Sequence, residues 1–333
     1  LTAPAPGSEP LRGTADMHIG MAGVLLERND LSGAREHLAI SHRLGEHNGL
    51  PQNPYRRRLV MARMREVEGD LDDALALLDD AERVYAGDYA PNVQPVPAVR
   101  ARLRLRRGEL AHAEEWARQR QLTSEDGPSY LREYEHLTLA RLLIARHRVE
   151  PDAREHGNAL THLARLLAAA ERGGRGASVM EVLVLQALAH EAGRNMPAAL
   201  AALHRAVTLA QPEGYVRLFA EEGAPMAALL KTLRKQPAAP AYVNRLLAVT
   251  ARTGTRASTP QELVEPLSER ELDVLRLLGS DLGGPDIARE LSVSLNTLRT
   301  HTKSIYAKLG VTSRRAAVSQ ARELNLIRGR GHN

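Results

Sequence analysis

The chain has 333 residues, of which 43% are hydrophobic and only 3% aromatic, with no cysteine and a formal net charge of +5. That length supports a sizeable core and two or more domains, while the missing cysteine excludes disulfides and thiolate chemistry and fits a reducing cytoplasm. No apolar run reaches the length of a membrane span, so no membrane partner is expected, and a pI near 9.7 admits a polyanionic one.

With so few aromatics the core must rest on Ala, Leu and Val, and an Ala-, Leu- and Arg-rich chain of this kind reads as all-α. The first residue is Leu1 rather than Met, as in a piece of a longer protein, and residues 1–12 read as a flexible N-terminal tail. From Gly13 to Thr250 the apolar spacing is helical, broken by Gly, Pro and Asn. One turn motif recurs: Asn29-Asp30-Leu31-Ser32-Gly33-Ala34, then Gly69-Asp70-Leu71-Asp72-Asp73-Ala74, then Gly108-Glu109-Leu110-Ala111-His112-Ala113. The starts are 40 and 39 residues apart, and a looser copy at Gly193 follows 85 residues later, with Asp152 to Glu171 supplying one degenerate copy between.

The motif describes a helix closed by a left-handed residue, a tight turn and a second helix behind a short polar cap such as Asp70. Ala74, Leu77, Leu78 and Ala81 then form the inner stripe, and the small residue five places after the turn allows close helix packing. Two helices per period of about 40 residues indicate a tetratricopeptide-like helical-hairpin solenoid over 13–250. Such an array offers a groove to a small-molecule or protein effector, and Trp116 is either a groove residue or an ordinary packing residue. His190-Glu191 lacks the second His of a zincin helix, and Gly173-Gly174-Arg175-Gly176 lacks the Lys of a phosphate loop. No cofactor, metal or catalytic residue is expected, and no enzymatic activity.

Residues 251–265, rich in Thr, Ser, Gly and Pro, read as a linker. The remaining 266–330 read as a four-helix domain. Ser268 and Glu271 form a capping box ahead of Leu272, Leu275 and Leu278. Gly283-Gly284-Pro285 opens a short second helix, Ser294 caps a third, Gly310 ends it and Ser313 caps a last one bearing Ala317, Ala321 and Leu324. Short helix, tight turn and longer helix make helix-turn-helix geometry. On the third helix Leu295, Leu298, Ile305 and Leu309 share a stripe with Thr302. The opposite side carries Asn296, Arg299, Thr300, Lys303 and Ala307, with no carboxylate. Residues 266–290 hold three arginines against six acids, whereas 291–333 hold eight basic residues against one acid. A face of donors and cations suits phosphates at its edges and base edges at its centre.

Together LSERELDVLRLL and DIARELSVSLNTLRTHTKSIYAKLGVTSRRAAV resemble the LuxR-type helix-turn-helix from Leu267 to Ile327. The array, including AQPEGYVRLFAEEGAPMAALL from Ala210, is similar to the sensor arm of MalT-like LuxR regulators, in which an ATP-binding module normally precedes it. The resemblance implies groove contacts by Arg299, Thr300 and Lys303 and phosphate contacts near Asn296 and Thr297. Lys308 and Arg314 complete the expected DNA-binding set, and Leu298, Ile305 and Leu309 match the family core. It also implies a homodimer on double-stranded DNA through the last helix, with RNA polymerase as a further partner. One departure stands out, since Gly283 replaces the hydroxyl residue that usually caps the second helix. The expectation is a cytoplasmic bacterial transcription regulator, an activator by resemblance, whose arm senses an effector or binds a protein. The competing reading is an interaction scaffold whose C-terminal domain mainly dimerises.

Overall fold

The computed structural model describes residues 11–45, 48–85, 91–235, 240–258, 267–280, 282–291, 293–309, 314, 317–318 and 321. Among the described residues there are α-helices, a 3-10 turn at Tyr130–Arg132 and no strand. They fall into two compact units, Leu1–Arg256 and Ala257–Asn333. The expected tail lies outside the described residues except for Leu11 and Arg12.

Among the described residues of the first unit, five helical hairpins follow one another: α1 (Thr14–Glu27) with α2 (Leu31–Leu44), α3 (Asn53–Glu68) with α4 (Leu71–Val84), α5 (Val96–Arg106) with α6 (Leu110–Gln119), α7 (Glu133–Val149) with α8 (Ala153–Arg172), and α9 (Gly176–Ala192) with α10 (Met196–Glu213). Short α11 (Arg217–Ala220), α12 (Gly223–Leu233) and α13 (Pro240–Ser258) follow.

The recurring turn has one backbone geometry. Asn29, Gly69 and Gly108 sit at φ 61°, 89° and 77°, a left-handed region that Gly and Asn enter at little cost. The next residue is extended-to-bridging, with Asp30 at φ −89°, ψ 83° and Asp70 at φ −90°, ψ 78°. From there Asp30 accepts from the Gly33 N–H at 3.0 Å and Asp70 from the Asp73 N–H at 3.1 Å, each satisfying one orphan donor of the new helix. Glu109, one methylene longer, makes no such bond.

The fourth copy corrects the expected register. Gly193 has φ −79°, and the left-handed residue is Arg194 at φ 59°. Asn195 is therefore the cap, bonding the Ala198 N–H at 3.3 Å. The fully buried small residue is Ala199 rather than Ala198. A Cβ at Gly193 would stand 2.4 Å from His156 Nε2, the far end of that side chain, and the ring would have to move. The 173–176 loop repeats the same turn, with Gly174 at φ 63° and Arg175 at φ −89°, ψ 78°. The degenerate copy at Asp152 is α8, capped by Asp152 through the Arg154 and Glu155 N–H groups.

Each hairpin buries its stripe against the next. Ala74, Leu78 and Ala81 are buried as expected, packed with Tyr55, Ala62 and Val96, while Leu77 is only half-buried. Trp116 is a packing residue among Ala98, Ala101, Ala113 and Leu142. The largest core surrounds α9, whose Val182, Leu185 and Ala189 meet Leu163, Leu203 and Phe219.

The array closes on its own start. The Val216 N–H donates to the Glu27 carbonyl at 3.0 Å, and the Leu218 N–H to Glu27 Oε1 at 2.8 Å. Arg245 donates to the Arg28 carbonyl at 2.9 Å.

Part of the expected linker is helical. α13 continues through Ser258, so 251–258 are helical, and 259–265 lie outside the described residues. Tyr242, Val243, Leu246 and Val249 anchor that helix in the core. Extension from an existing nucleus avoids the cost of starting a helix, which offsets the poor helix propensity of Thr and Gly.

In the second unit α14 (Glu269–Leu278), α15 (Gly284–Glu290) and α16 (Leu295–Leu309) pack around Val274, Leu275, Ile287, Leu298 and Ile305. The capping box of Ser268 and Glu271 is present. Gly283 caps α15 with no side-chain bond. Ala317 and Ala321 are fully buried in the same core, whereas Gly310, Ser313 and Leu324 lie outside the described residues.

Candidate nucleic-acid interface

Helix α16 is held by its inner side. Ser294 caps it, accepting from the Thr297 N–H at 3.1 Å. Leu298 and Ile305 are buried, and Thr302 returns its hydroxyl to the Leu298 carbonyl at 2.8 Å. Leu295 departs from the expected stripe, being 46% exposed. It is the first residue of the helix and overhangs the end of the core.

Glu271 ties α14 to α16. Its carboxylate accepts from the Ser268 N–H at 2.8 Å, from Ser304 Oγ at 2.6 Å and from Lys308 Nζ at 2.9 Å. Burial alone would raise this carboxyl, but the bonds from Ser304, Lys308 and Ser268 reverse that and bring it down to about 2. A carboxylate locked in this way fixes the rotation of α16 about its axis.

The outer side of α16 is left for other work. Asn296, Thr297, Arg299, Thr300 and Lys303 are all exposed. Thr297 Oγ1 shares a bond with Ser294 Oγ at 2.8 Å, and Thr300 Oγ1 donates to the Asn296 carbonyl at 3.1 Å. These five side chains span two turns of one helix face, with His301 half-buried at its margin.

Lys308 and Arg314, expected beside them, are employed inside the domain. Lys308 is bound to Glu271 with 18% of its side chain exposed. Arg314 donates to the Leu278 carbonyl at 2.9 Å and to the Ser280 carbonyl at 2.7 Å, closing the C-terminal end of α14. Arg270 does the same for α15 through the Leu291 carbonyl at 2.8 Å. Sequence reading missed Glu271 as the residue that orients the reading helix, having placed it only in a cap.

The first unit encloses a lumen of about 220 Å³ between the inner faces of α1, α3, α5, α7 and α9 and the closing segment around α11. Four arginines (Arg63, Arg102, Arg106 and Arg141) and five glutamates (Glu27, Glu66, Glu181, Glu221 and Glu222) line it. Glu221 takes Arg106 at 2.8 Å, Arg217 at 3.1 Å and Arg63 at 3.7 Å. Glu181 takes Arg102 at 2.8 Å and Arg141 at 3.0 Å. Burial works against ionisation of Glu221, yet Arg106, Arg63 and Arg217 hold it far below the usual carboxylate range. Burial wins at Glu27 and Glu66, both of which are pushed up. Among the described residues no group of three or more His, Asp or Glu is placed to hold a metal ion, and no helix is long and apolar enough to cross a membrane.

Residues 2–236 match the sequence model of the MalT-like TPR region, and residues 265–321 match that of the bacterial regulatory proteins of the luxR family. Among curated proteins the chain is similar to the HTH-type transcriptional regulator MalT of Klebsiella pneumoniae (strain 342), 26% identical over 315 residues. The MalT of Cronobacter sakazakii (strain ATCC BAA-894) is likewise 26% identical, over 318 residues. The two alignments cover 84% and 85% of this chain and 33% of each relative, so the chain spans about a third of their length.

Proposed function

This chain belongs to the MalT-like TPR family and carries a luxR-family domain, and from that premise we propose that it is a sequence-specific DNA-binding transcription regulator. The observation that carries the reading is the exposed, carboxylate-free face of Asn296, Thr297, Arg299, Thr300 and Lys303 on a helix fixed from behind by Glu271. Arg299 and Lys303 suit guanine O6 and N7 in a major groove, and Asn296 and Thr297, at the start of the helix, suit phosphate. Lys308 and Arg314, bonded to Glu271 and to the Leu278 and Ser280 carbonyls, complete the proposed DNA-binding set from the edge of that face. One such helix reads only a few base pairs, so two copies on a two-fold-related site are the functional unit.

The array is the sensing arm, with an effector seated in the charged lumen and activation as the output, through RNA polymerase. The test is selection of bound sequences from random duplex DNA at stated salt. Enrichment of a two-fold-related motif, with affinity falling steeply as salt rises, is expected. Failure to enrich any sequence would favour a scaffold role for the C-terminal unit.

A further inference from the structure

Helix α3 has two working faces. Leu59, Ala62, Arg63 and Glu66 turn into the lumen, while Arg57, Arg58, Met61, Met64, Arg65 and Glu68 line a separate open groove with α2 and α4. The two cavities share no lining residue. The groove holds about 430 Å³, within the range of about 300–1,000 Å³ typical of ligand-sized pockets.

Its floor is apolar. Leu38, Met61 and Leu77 are half-buried, Met64 is buried, and Ala39 is exposed beside them. Two methionines give a floor that adapts to the side chains it receives. Its rim is cationic, with Arg35, Arg57, Arg58 and Arg65 against two carboxylates, Glu68 and Asp80. Both carboxylates are already engaged within the chain: Glu68 accepts from Arg35 at 2.8 Å and from Arg65 at 2.9 Å, and Asp80 pairs with Arg83. Arg57 Nη1 also lies 2.5 Å from His42 Nδ1, placing a guanidinium against an imidazole. Arg35 and Arg65 are themselves paired, Arg35 with Glu68 and Arg65 with Glu68 and with Asp73 at 2.7 Å, yet keep 54% and 45% of their side chains exposed, so an incoming carboxylate would share these guanidinium groups rather than find them bare.

The walls run as helix rows. Arg35, Leu38, Ala39 and His42 on α2 fall at i, i+3, i+4 and i+7, and Arg57, Met61 and Met64 fall at i, i+4 and i+7 on α3. A trough between two helices, apolar along its centre and positive along its lips, is complementary to a third helix with apolar anchors on one face and acids on its flanks.

We propose that the groove between α2, α3 and α4 is a docking site for an acidic amphipathic helix of a partner protein. The apolar row enters between Leu38 and Met61, and flanking carboxylates meet the arginines on either lip. The site is distinct from both the lumen and the face of α16, so it stands whether or not the DNA-binding reading does.

The test uses the full chain and two labelled synthetic helices of about 18 residues, or five turns, read by fluorescence anisotropy. Both carry Leu at i, i+3, i+4 and i+7 positions; one carries Glu on its flanks and the other Lys. Saturable binding of the Glu helix, with the Lys helix weaker by about tenfold or more, is expected, as is weakening by salt. The double reversal Arg57→Glu with Arg58→Glu should invert that preference, which a variant that merely unfolds cannot do. Met61→Asp should abolish binding of the Glu helix, with circular dichroism reporting whether the chain remains folded. A photo-crosslinker on the apolar row of the Glu helix should label the segment containing Met61 and Met64. Equal binding of the two helices, or a preference unchanged by the double reversal, overturns the proposal.

Discussion

At the scale of single residues, the reading face and its support make separable demands. If Arg299 and Lys303 reach base edges, Arg299→Ala and Lys303→Ala should each weaken binding to a selected site by about 1–3 kcal/mol. Titration against matched and mismatched duplexes checks this, and equal losses on both duplexes would assign the side chain to phosphate. Glu271→Gln should act differently, because Glu271 lies behind the helix and grips it through Ser304 and Lys308. Losing a buried charged acceptor costs about 1–3 kcal/mol of stability. The sign with pH follows from a folded carboxyl at about 2 against an ordinary value of 4.5. Its stabilisation is complete above pH 4.5 and fades as pH falls toward 2. Hydrogen exchange of the α14 and α16 amides should therefore show a gap between wild type and Glu271→Gln that narrows over that window. A gap independent of pH would mean that the carboxylate charge is not what holds α16. Charge counting found the basic half of this domain but could not tell a cation spent on a helix end, as Arg314 is, from one left outside.

At the scale of elements, the turns show what a sequence pattern carries and where it slips. The 40- and 39-residue intervals were legible because Asn29, Gly69 and Gly108 all occupy the left-handed position that few residues tolerate. The fourth turn misled because Gly193 is not its left-handed residue, while Arg194 bears the strained angle. Opposite signs follow for two substitutions. Arg194→Gly should relieve the left-handed cost and stabilise the array by up to about 1 kcal/mol, and Gly69→Ala should destabilise it by about 1–2 kcal/mol. Chemical denaturation followed by Trp116 fluorescence measures both, and equal shifts of the same sign would refute the turn geometry. The all-α class, the hairpin period and the helix-turn-helix were readable because each is local. The extension of α13 through Ser258 was not, since it depends on Tyr242, Val243, Leu246 and Val249 being packed by distant helices. Closure of the array was equally invisible, because it joins Glu27 to Val216 and Leu218 across almost the whole unit.

At the scale of the molecule, that closure makes the arm a single mechanical object rather than an open row of repeats. Glu221 is its keystone, taking guanidinium groups from α3, α5 and α11 at once. Removing one partner from a buried ion network leaves the others uncompensated and costs about 3–5 kcal/mol. Glu221→Gln should lower the stability of the array by that order, seen as an earlier denaturation midpoint by Trp116 fluorescence, and a change below about 1 kcal/mol would show the network to be a solvated ornament. An arm closed by charge can be re-set by a ligand only if that ligand distinguishes the closed ring from an opened one. Whether such a change reaches DNA depends on coupling to a second unit that has its own core of Val274, Leu275, Ile287 and Ile305. The measurement is the affinity of the 257–333 fragment for a selected duplex against that of the full chain, in the same salt. With each unit built on its own core, the two affinities should agree within a few-fold. A tenfold tighter fragment would correspond to about 1.4 kcal/mol of inhibitory coupling and would make the arm a clamp on the reading face. Glu221→Gln then separates the two regimes, because loosening the ring should raise the DNA affinity of a clamped chain and leave that of a tethered one unchanged.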